Sequence, residues 1–338
     1  MPPRRTVYFS APGRAEVREE KLPVPAAGQL LVQTTVSAIS PGTEMLVYRG
    51  QFPPNLQLDG SIPALQGKFA YPLAYGYAAV GRVTGLGRDV AGYWLDRRVF
   101  SFQPHTSHFL ATPETVISLP EGISPEAAAF LPNTETAVNL VQDGAPILGE
   151  RVLVLGQGVI GLLTAALLAE FPLQALITSD CHPRRRKASL ALGVTASLEA
   201  PTADFIERLR ARLPSGADLT YELSGAPAAL NDAIAGTSFS GRVVIGSWYG
   251  EKRAPLNLGE EFHRSRIRLI SSQVSTIAPE LSGRWDKARR FDVAWQALKR
   301  IRPEKWITHR IPLENAADAY GLLDQSPAET IQVMLTYS

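Results

Sequence analysis

VLVLGQGVIGLLTAALLA, residues 152–169, places an apolar run before three glycines and a second apolar run after them. Its 18 residues reach the length at which a membrane span must be considered. Gly156, Gln157, Gly158 and Gly161 interrupt its first half, so strand, turn and helix fit better than one continuous helix. The glycines form a G-x-G-x-x-G pattern between a strand and a helix, the context in which it signals dinucleotide binding. Gly156 is expected to make the tight turn, Gly158 to let the backbone approach a pyrophosphate, and Gly161 to pack helix on strand. The phosphates then fall on the free N–H groups of Val159 and Ile160, at the positive end of helix 159–169. The next apolar run, ALITSD (175–180), ends on Asp180, a carboxylate suited to both ribose hydroxyls of NAD. Arg184-Arg185-Arg186-Lys187 follows, and Arg185 is a candidate clamp for a 2′-phosphate. The same run also reads as the solvated first turn of a helix. NAD is therefore the expected cofactor, with NADP open.

Outward from this unit the chain alternates strand-like and amphipathic stretches: 152–155 then 159–169, 175–178 then 184–192, 218–223 then 226–235, and 241–245. That alternation predicts a doubly wound parallel sheet in an α/β fold. Residues 1–120 differ, with short β-like runs at 30–36, 78–84, 97–102 and 115–118 separated by turns, which predicts a mostly-β domain. SPE (124–126) reads as a helix start, a capping Ser with Pro at the first helical position. A helix around 285–299 and a closing strand at 331–335 end the chain. The expected domains are 1–123, 124–270, and a return, 271–338, that completes the first.

Composition narrows the function classes. The 338 residues are 45% hydrophobic and 20% charged, an ordinary globular balance. A net charge of +2 gives no footprint for a nucleic acid or a membrane surface. The single cysteine, Cys181, excludes an intramolecular disulfide and a cysteine-rich zinc module. The N-terminal MPPRRTVYFSAPGR lacks an apolar core for a signal peptide, so a cytoplasmic, reducing location is expected.

VSAISPGTEMLVYRG (36–50), YPLAYGYAAVGRVTGLG (71–87), the glycine unit and WITHRIPLENAADAYGLL (306–323) together resemble the medium-chain dehydrogenase/reductase superfamily, typified by zinc alcohol dehydrogenases. SPGTE, YGY-x-x-VGRV, GSWYG and FH…SSQV resemble a zinc-type branch to which bacteriochlorophyllide 3-hydroxyethyl dehydrogenase is distantly similar. The resemblance implies a GroES-like catalytic domain hinged to a Rossmann domain, with the active site in the cleft and a homodimer as the usual assembly. It also implies three zinc-ligand positions, and here they read Pro41, Tyr77 and one near Asn133. None is a good zinc ligand, so no catalytic metal is expected.

Without zinc another group must handle the alcohol proton. Tyr77 is the first candidate, and a core tyrosine with a satisfied hydroxyl is the competing reading. Thr43 falls at the family's proton-relay hydroxyl. Glu44 replaces the family's Asp, as a base or as an ion-pair partner. His105 follows a strand, and its imidazole makes it a candidate acid–base group. Glu135 lies in the segment that lines the nicotinamide pocket in relatives. SGAP (224–227) and IGSWYG (245–250) follow strand ends, where ligand crevices form, so Ser224, Gly246, Ser247 and Trp248 are expected at the cofactor. The leading expectation is a zinc-independent NAD(P)-dependent oxidoreductase interconverting a secondary alcohol and a ketone by hydride transfer, on a small-molecule substrate that the sequence does not identify. An NADPH-dependent reductase of an activated C=C bond and an inactive nucleotide-binding sensor are the alternatives.

Overall fold

The computed structural model describes residues 3–53 and 69–338. They form two compact units, one made of the chain up to Pro132 together with Arg302–Ser338, the other of Asn133–Ile301.

The first unit begins with a hairpin, β1 (Arg4–Ala11) and β2 (Arg14–Glu20), followed by β3 (Leu30–Ala38) and a short helix α1 (Thr43–Tyr48). β4 (Leu73–Ala74), β5 (Ala79–Leu86), β6 (Arg98–Ser101), β7 (His108–Ala111) and β8 (Ile117–Ser118) precede α2 (Pro125–Ala128). Ser124 caps α2, its hydroxyl accepting from Ala127 N–H at 3.1 Å with Pro125 at the first helical position. β5 pairs antiparallel with β3 on one side and β6 on the other.

The second unit begins within α3 (Leu131–Gly144), at Asn133, and continues through β9 (Arg151–Leu155), α4 (Val159–Leu168), β10 (Ala175–Asp180), α5 (Pro183–Leu190), β11 (Ala196–Glu199), α6 (Phe205–Arg210), β12 (Ala217–Glu222), α7 (Ala229–Gly236), β13 (Thr237–Ile245), α8 (Glu261–Arg264), β14 (Arg268–Ser271) and α9 (Lys287–Ile301). Its six strands are parallel in the order β11-β10-β9-β12-β13-β14, the doubly wound arrangement. β9 has one half-exposed residue and four buried ones, the pattern of a strand covered on both faces. α4 buries nine of its ten residues, so the long apolar run is an interior helix. No helix among the described residues is long and apolar enough to cross a membrane.

The chain then returns to the first unit with β15 (Ile307–Pro312), α10 (Ala316–Gln325) and β16 (Gln332–Thr336), and β16 pairs with β3. This return begins at Arg302 rather than at 271. β14 pairs parallel with β13, and Arg290 of α9 bonds to α3, so both elements stay with the parallel sheet. The other boundary falls at Pro132, beyond the expected 123.

Candidate functional site

The glycine turn sits where strand order reverses, between β9 and β12, the place where doubly wound sheets bind ligands. Gly156 has φ +89°, and a Cβ there would lie 2.6 Å from the Ser224 backbone. At Gly161 a Cβ would come within 1.9 Å of the Gly156 carbonyl oxygen, so α4 could not pack this closely on the turn with a larger residue. Gly158 caps α4, and a Cβ on it would meet no atom within 4 Å. The turn is closed toward the protein and open on the Gly158 side. The N–H groups of Val159, Ile160 and Gly161 lie in α4's first turn, where no intrahelical acceptor exists.

Asp180 ends β10 beside this turn. Its Oδ2 accepts from Gln157 N–H at 2.7 Å and its Oδ1 from His182 N–H at 2.8 Å. An Arg185 guanidinium nitrogen stands 3.9 Å from the same Oδ2. Burial, followed by the Asp180 charge, pushes the Cys181 thiol up, and burial together with the Arg185 charge holds the His182 ring below its ordinary range.

The turns after β12 and β13 are tied together by Glu222, a fully buried carboxylate that sequence reasoning missed. It accepts from both the N–H and the hydroxyl of Ser224, and from the Tyr249 hydroxyl at 2.5 Å. Burial and the Glu222 charge push the Tyr249 phenol far above its ordinary range. Gly225 N–H donates to Ser247 Oγ at 2.9 Å, and Gly246 fits against Leu140 and Leu223 with no room for a Cβ. Trp248 follows, 39% exposed. The signal for Glu222 was an acid closing an otherwise apolar strand, ADLTYE.

Glu135 pairs within the second unit with Lys287 and with the fully buried Arg290, whose Nε donates to it at 3.0 Å. Arg290 also donates to Asn139 and to the carbonyls of Val274 and Thr276. These bonds give Glu135 a structural place, joining α3 to α9.

In the first unit, residues 75–78 are not a regular strand. Gly76, at φ +128°, breaks the alternation expected there, and β5 begins at Ala79. Tyr75 is buried, whereas Tyr77 is half-buried and packs its ring at 90° to that of Tyr75. The Tyr77 hydroxyl donates to Ser40 Oγ at 2.5 Å. Ser40 was not anticipated. Thr43 opens α1 half-buried, with no side-chain hydrogen bond among the described residues. Glu44 and His105 have no solvent exposure and bond to each other, Oε2 to Nε2, at 2.9 Å. The two lie 61 residues apart in the chain, so nothing local signals the pair.

The zinc-ligand positions suggested by resemblance hold Pro41, which has no donor atom, a tyrosine and an asparagine, a set that does not fit Zn²⁺. Among the described residues one group brings three metal-type donors within 4.8 Å of one another: Asp180, Cys181 and His182. Both Asp180 oxygens there are already taken by backbone N–H groups.

Comparison with known proteins places residues 159–291 in a match to the zinc-binding dehydrogenase family. L-galactonate-5-dehydrogenase of Escherichia coli K12 is 25% identical over 353 aligned positions, covering 95% of each chain. A short chain alcohol dehydrogenase of E. coli CFT073, complexed with NADH, superposes with a TM-score of 0.79 at 18% identity over 98% of this chain and 99% of that one. A Sinorhizobium meliloti 1021 protein bound to NADP does so at 0.79 and 20%, covering 99% and 100%. At these identities the solved structures establish the fold: an α/β protein with a parallel sheet and a second, mixed-sheet unit.

Proposed function

With the comparisons supporting the zinc-binding, alcohol dehydrogenase-like family, we propose that this chain is a nicotinamide-dependent oxidoreductase interconverting a secondary alcohol and a ketone without catalytic zinc. One observation carries the reading: the turn from β9 into α4 is open at Gly158, presents first-turn N–H groups that have no intrahelical acceptor, and has a carboxylate beside it at Asp180. That combination suits a pyrophosphate with a ribose hydroxyl pair next to it. We take NAD as the preferred cofactor because Asp180 faces the ribose position with negative charge; Arg185 is the residue that would favour NADP. We assign the turns at Ser224, Gly246, Ser247 and Trp248 to the rest of the cofactor crevice, with Glu222 tying the two turns together through Ser224 and Tyr249.

The nicotinamide ring, when bound, supplies or takes the hydride. The proton is the task of this chain's own side chains. In reduction, the Tyr77 O–H turns from Ser40 to the carbonyl oxygen as that oxygen gains charge and gives up its proton, leaving a phenolate that solvent reprotonates. In oxidation the steps reverse: Tyr77 first loses its proton to solvent, and the phenolate then takes the alcohol's hydroxyl proton. Thr43, whose hydroxyl has no hydrogen-bond partner among the described residues, is the group we assign to orient the substrate oxygen. We infer no step through zinc, because the residues at the ligand positions do not suit it. A small-molecule substrate, a cytoplasmic location and a homodimer belong to the same proposal.

The test measures binding of NADH and NADPH by nicotinamide fluorescence, then oxidation of a panel of sugar acids, polyols and secondary alcohols. Tighter binding of NADH with turnover of an alcohol supports the reading, and no binding of either cofactor removes it.

A further inference from the structure

The Tyr77–Ser40 hydrogen bond joins two separate segments, and both are anchored to one buried pair. On one side, Ser40 N–H donates to Glu44 Oε1 at 2.8 Å. On the other, the His105 ring lies so close under Gly76 that a Cβ there would come within 2.8 Å of two ring atoms. His105 N–H also donates to the Tyr75 carbonyl at 3.4 Å. Glu44 Oε2 and His105 Nε2 close the loop at 2.9 Å.

The pair is itself fully held. Tyr320 donates to Glu44 Oε2 at 2.6 Å, and Ser37 Oγ lies 2.6 Å from His105 Nδ1 and 2.7 Å from the Tyr337 hydroxyl. An ionised Glu44 only accepts, which puts a hydrogen on His105 Nε2. In the neutral ring Nδ1 then accepts from Ser37, and Ser37 accepts from Tyr337. Burial, with the Glu44 charge adding to it, pushes the Tyr320 phenol up, and burial does the same to Tyr337, so both stay donors. Glu44, His105, Ser37, Tyr320 and Tyr337 each have a partner in this network, the condition under which a buried network fixes one geometry.

We propose that Glu44 and His105 are positioning residues that aim the Tyr77 hydroxyl, with Ser40 as the group that receives its hydrogen bond. This rests on the reading of Tyr77 as the proton-handling group. Neither positioning residue reaches the substrate, since both are sealed from solvent. Ser40 has a second use: among the described residues no acceptor takes its O–H, which can turn to donate to the phenolate left after Tyr77 gives up its proton.

The test uses the full chain labelled with [ζ-¹³C]tyrosine, the Tyr77 resonance being assigned by its loss in Tyr77→Phe. Glu44→Gln and His105→Gln are compared with the parent, and exposed Tyr93 is the internal reference. The Tyr77 resonance is expected to move in both variants while Tyr93 stays, with NADH binding unchanged. On any alcohol the parent oxidises, kcat should fall about 10- to 100-fold, as misplacement of a reacting group does. In a Tyr77→Phe background Glu44→Gln should lower kcat no further. A Tyr77 resonance unmoved in His105→Gln overturns the proposal, and His105→Asn repeats the measurement if that variant does not fold. Full turnover by Tyr77→Phe would instead remove the catalytic reading of Tyr77, a result separate from the resonance.

Discussion

Tyr77 donates its phenolic hydrogen bond to Ser40 at 2.5 Å, across 37 residues of chain and onto the loop that leads into α1. A half-buried phenol so held is neither a sealed core residue nor a loose surface one. General acids in this role contribute about 10²–10⁴-fold to rate. Tyr77→Phe should therefore lose at least about 100-fold in kcat while NADH binds as in the parent. Steady-state kinetics with a fluorescence titration separates the two quantities.

The three glycines of the turn make different demands, and substitution should separate them. Gly161→Ala forces a Cβ against the Gly156 carbonyl and should destabilise the protein by about 3 kcal/mol or more. Gly158→Ala meets nothing and should melt like the parent, yet weaken NADH binding by at least about tenfold, equal to about 1.4 kcal/mol. Thermal melts and NADH titrations of both proteins check this. Equal binding by Gly158→Ala would mean that the open side of the turn holds no cofactor.

Asp180 and Arg185 face each other at 3.9 Å, so cofactor preference turns on which of them dominates. Asp180→Asn removes the charge that repels a 2′-phosphate and keeps the Arg185 guanidinium nearby. The ratio of NADH to NADPH affinity should fall by about tenfold or more, the worth of roughly 1.4 kcal/mol. An unchanged ratio would place the ribose elsewhere.

Much of this was legible. The glycine turn, Asp180 and the strand–helix alternation are local signals, each carried within a few dozen residues. The β1–β2 hairpin was passed over, its burial alternating only weakly along charged β2. α9 was expected in the return because its sequence does not reveal which unit it joins, and the expected boundary at 270 cut through the end of β14. The Glu44 network was out of reach: Tyr320 and Tyr337 meet Glu44 and Ser37 from 276 and 300 residues away. Helix and strand periodicities cannot encode such pairings, since the return of the chain, with β16 beside β3, creates them.

Acid stability should report a contact far from the site. Burial disfavours the Asp218 charge, but hydrogen bonds from the Arg151 side chain and N–H, with its charge, outweigh it and hold the carboxyl below its ordinary range. A depressed folded pKa gives stability that is complete above the unfolded value, near 3.9, and is lost as pH falls through the folded one. Asp218→Asn should cost about 1–2 kcal/mol at neutral pH. The difference from the parent should close in the acid range, as urea melts across pH will show. A constant difference down to strong acid would contradict it.

The central claim is hydride transfer to a carbonyl carbon. It is tested most directly by presenting [4-²H]NADH, in both stereospecific forms, with a panel of ketones and enones and locating the deuterium in the product. The account predicts deuterium from one face of the cofactor on the carbinol carbon of a secondary alcohol. Deuterium on the β-carbon of a reduced enone, or cofactor that binds and transfers to nothing, would contradict it.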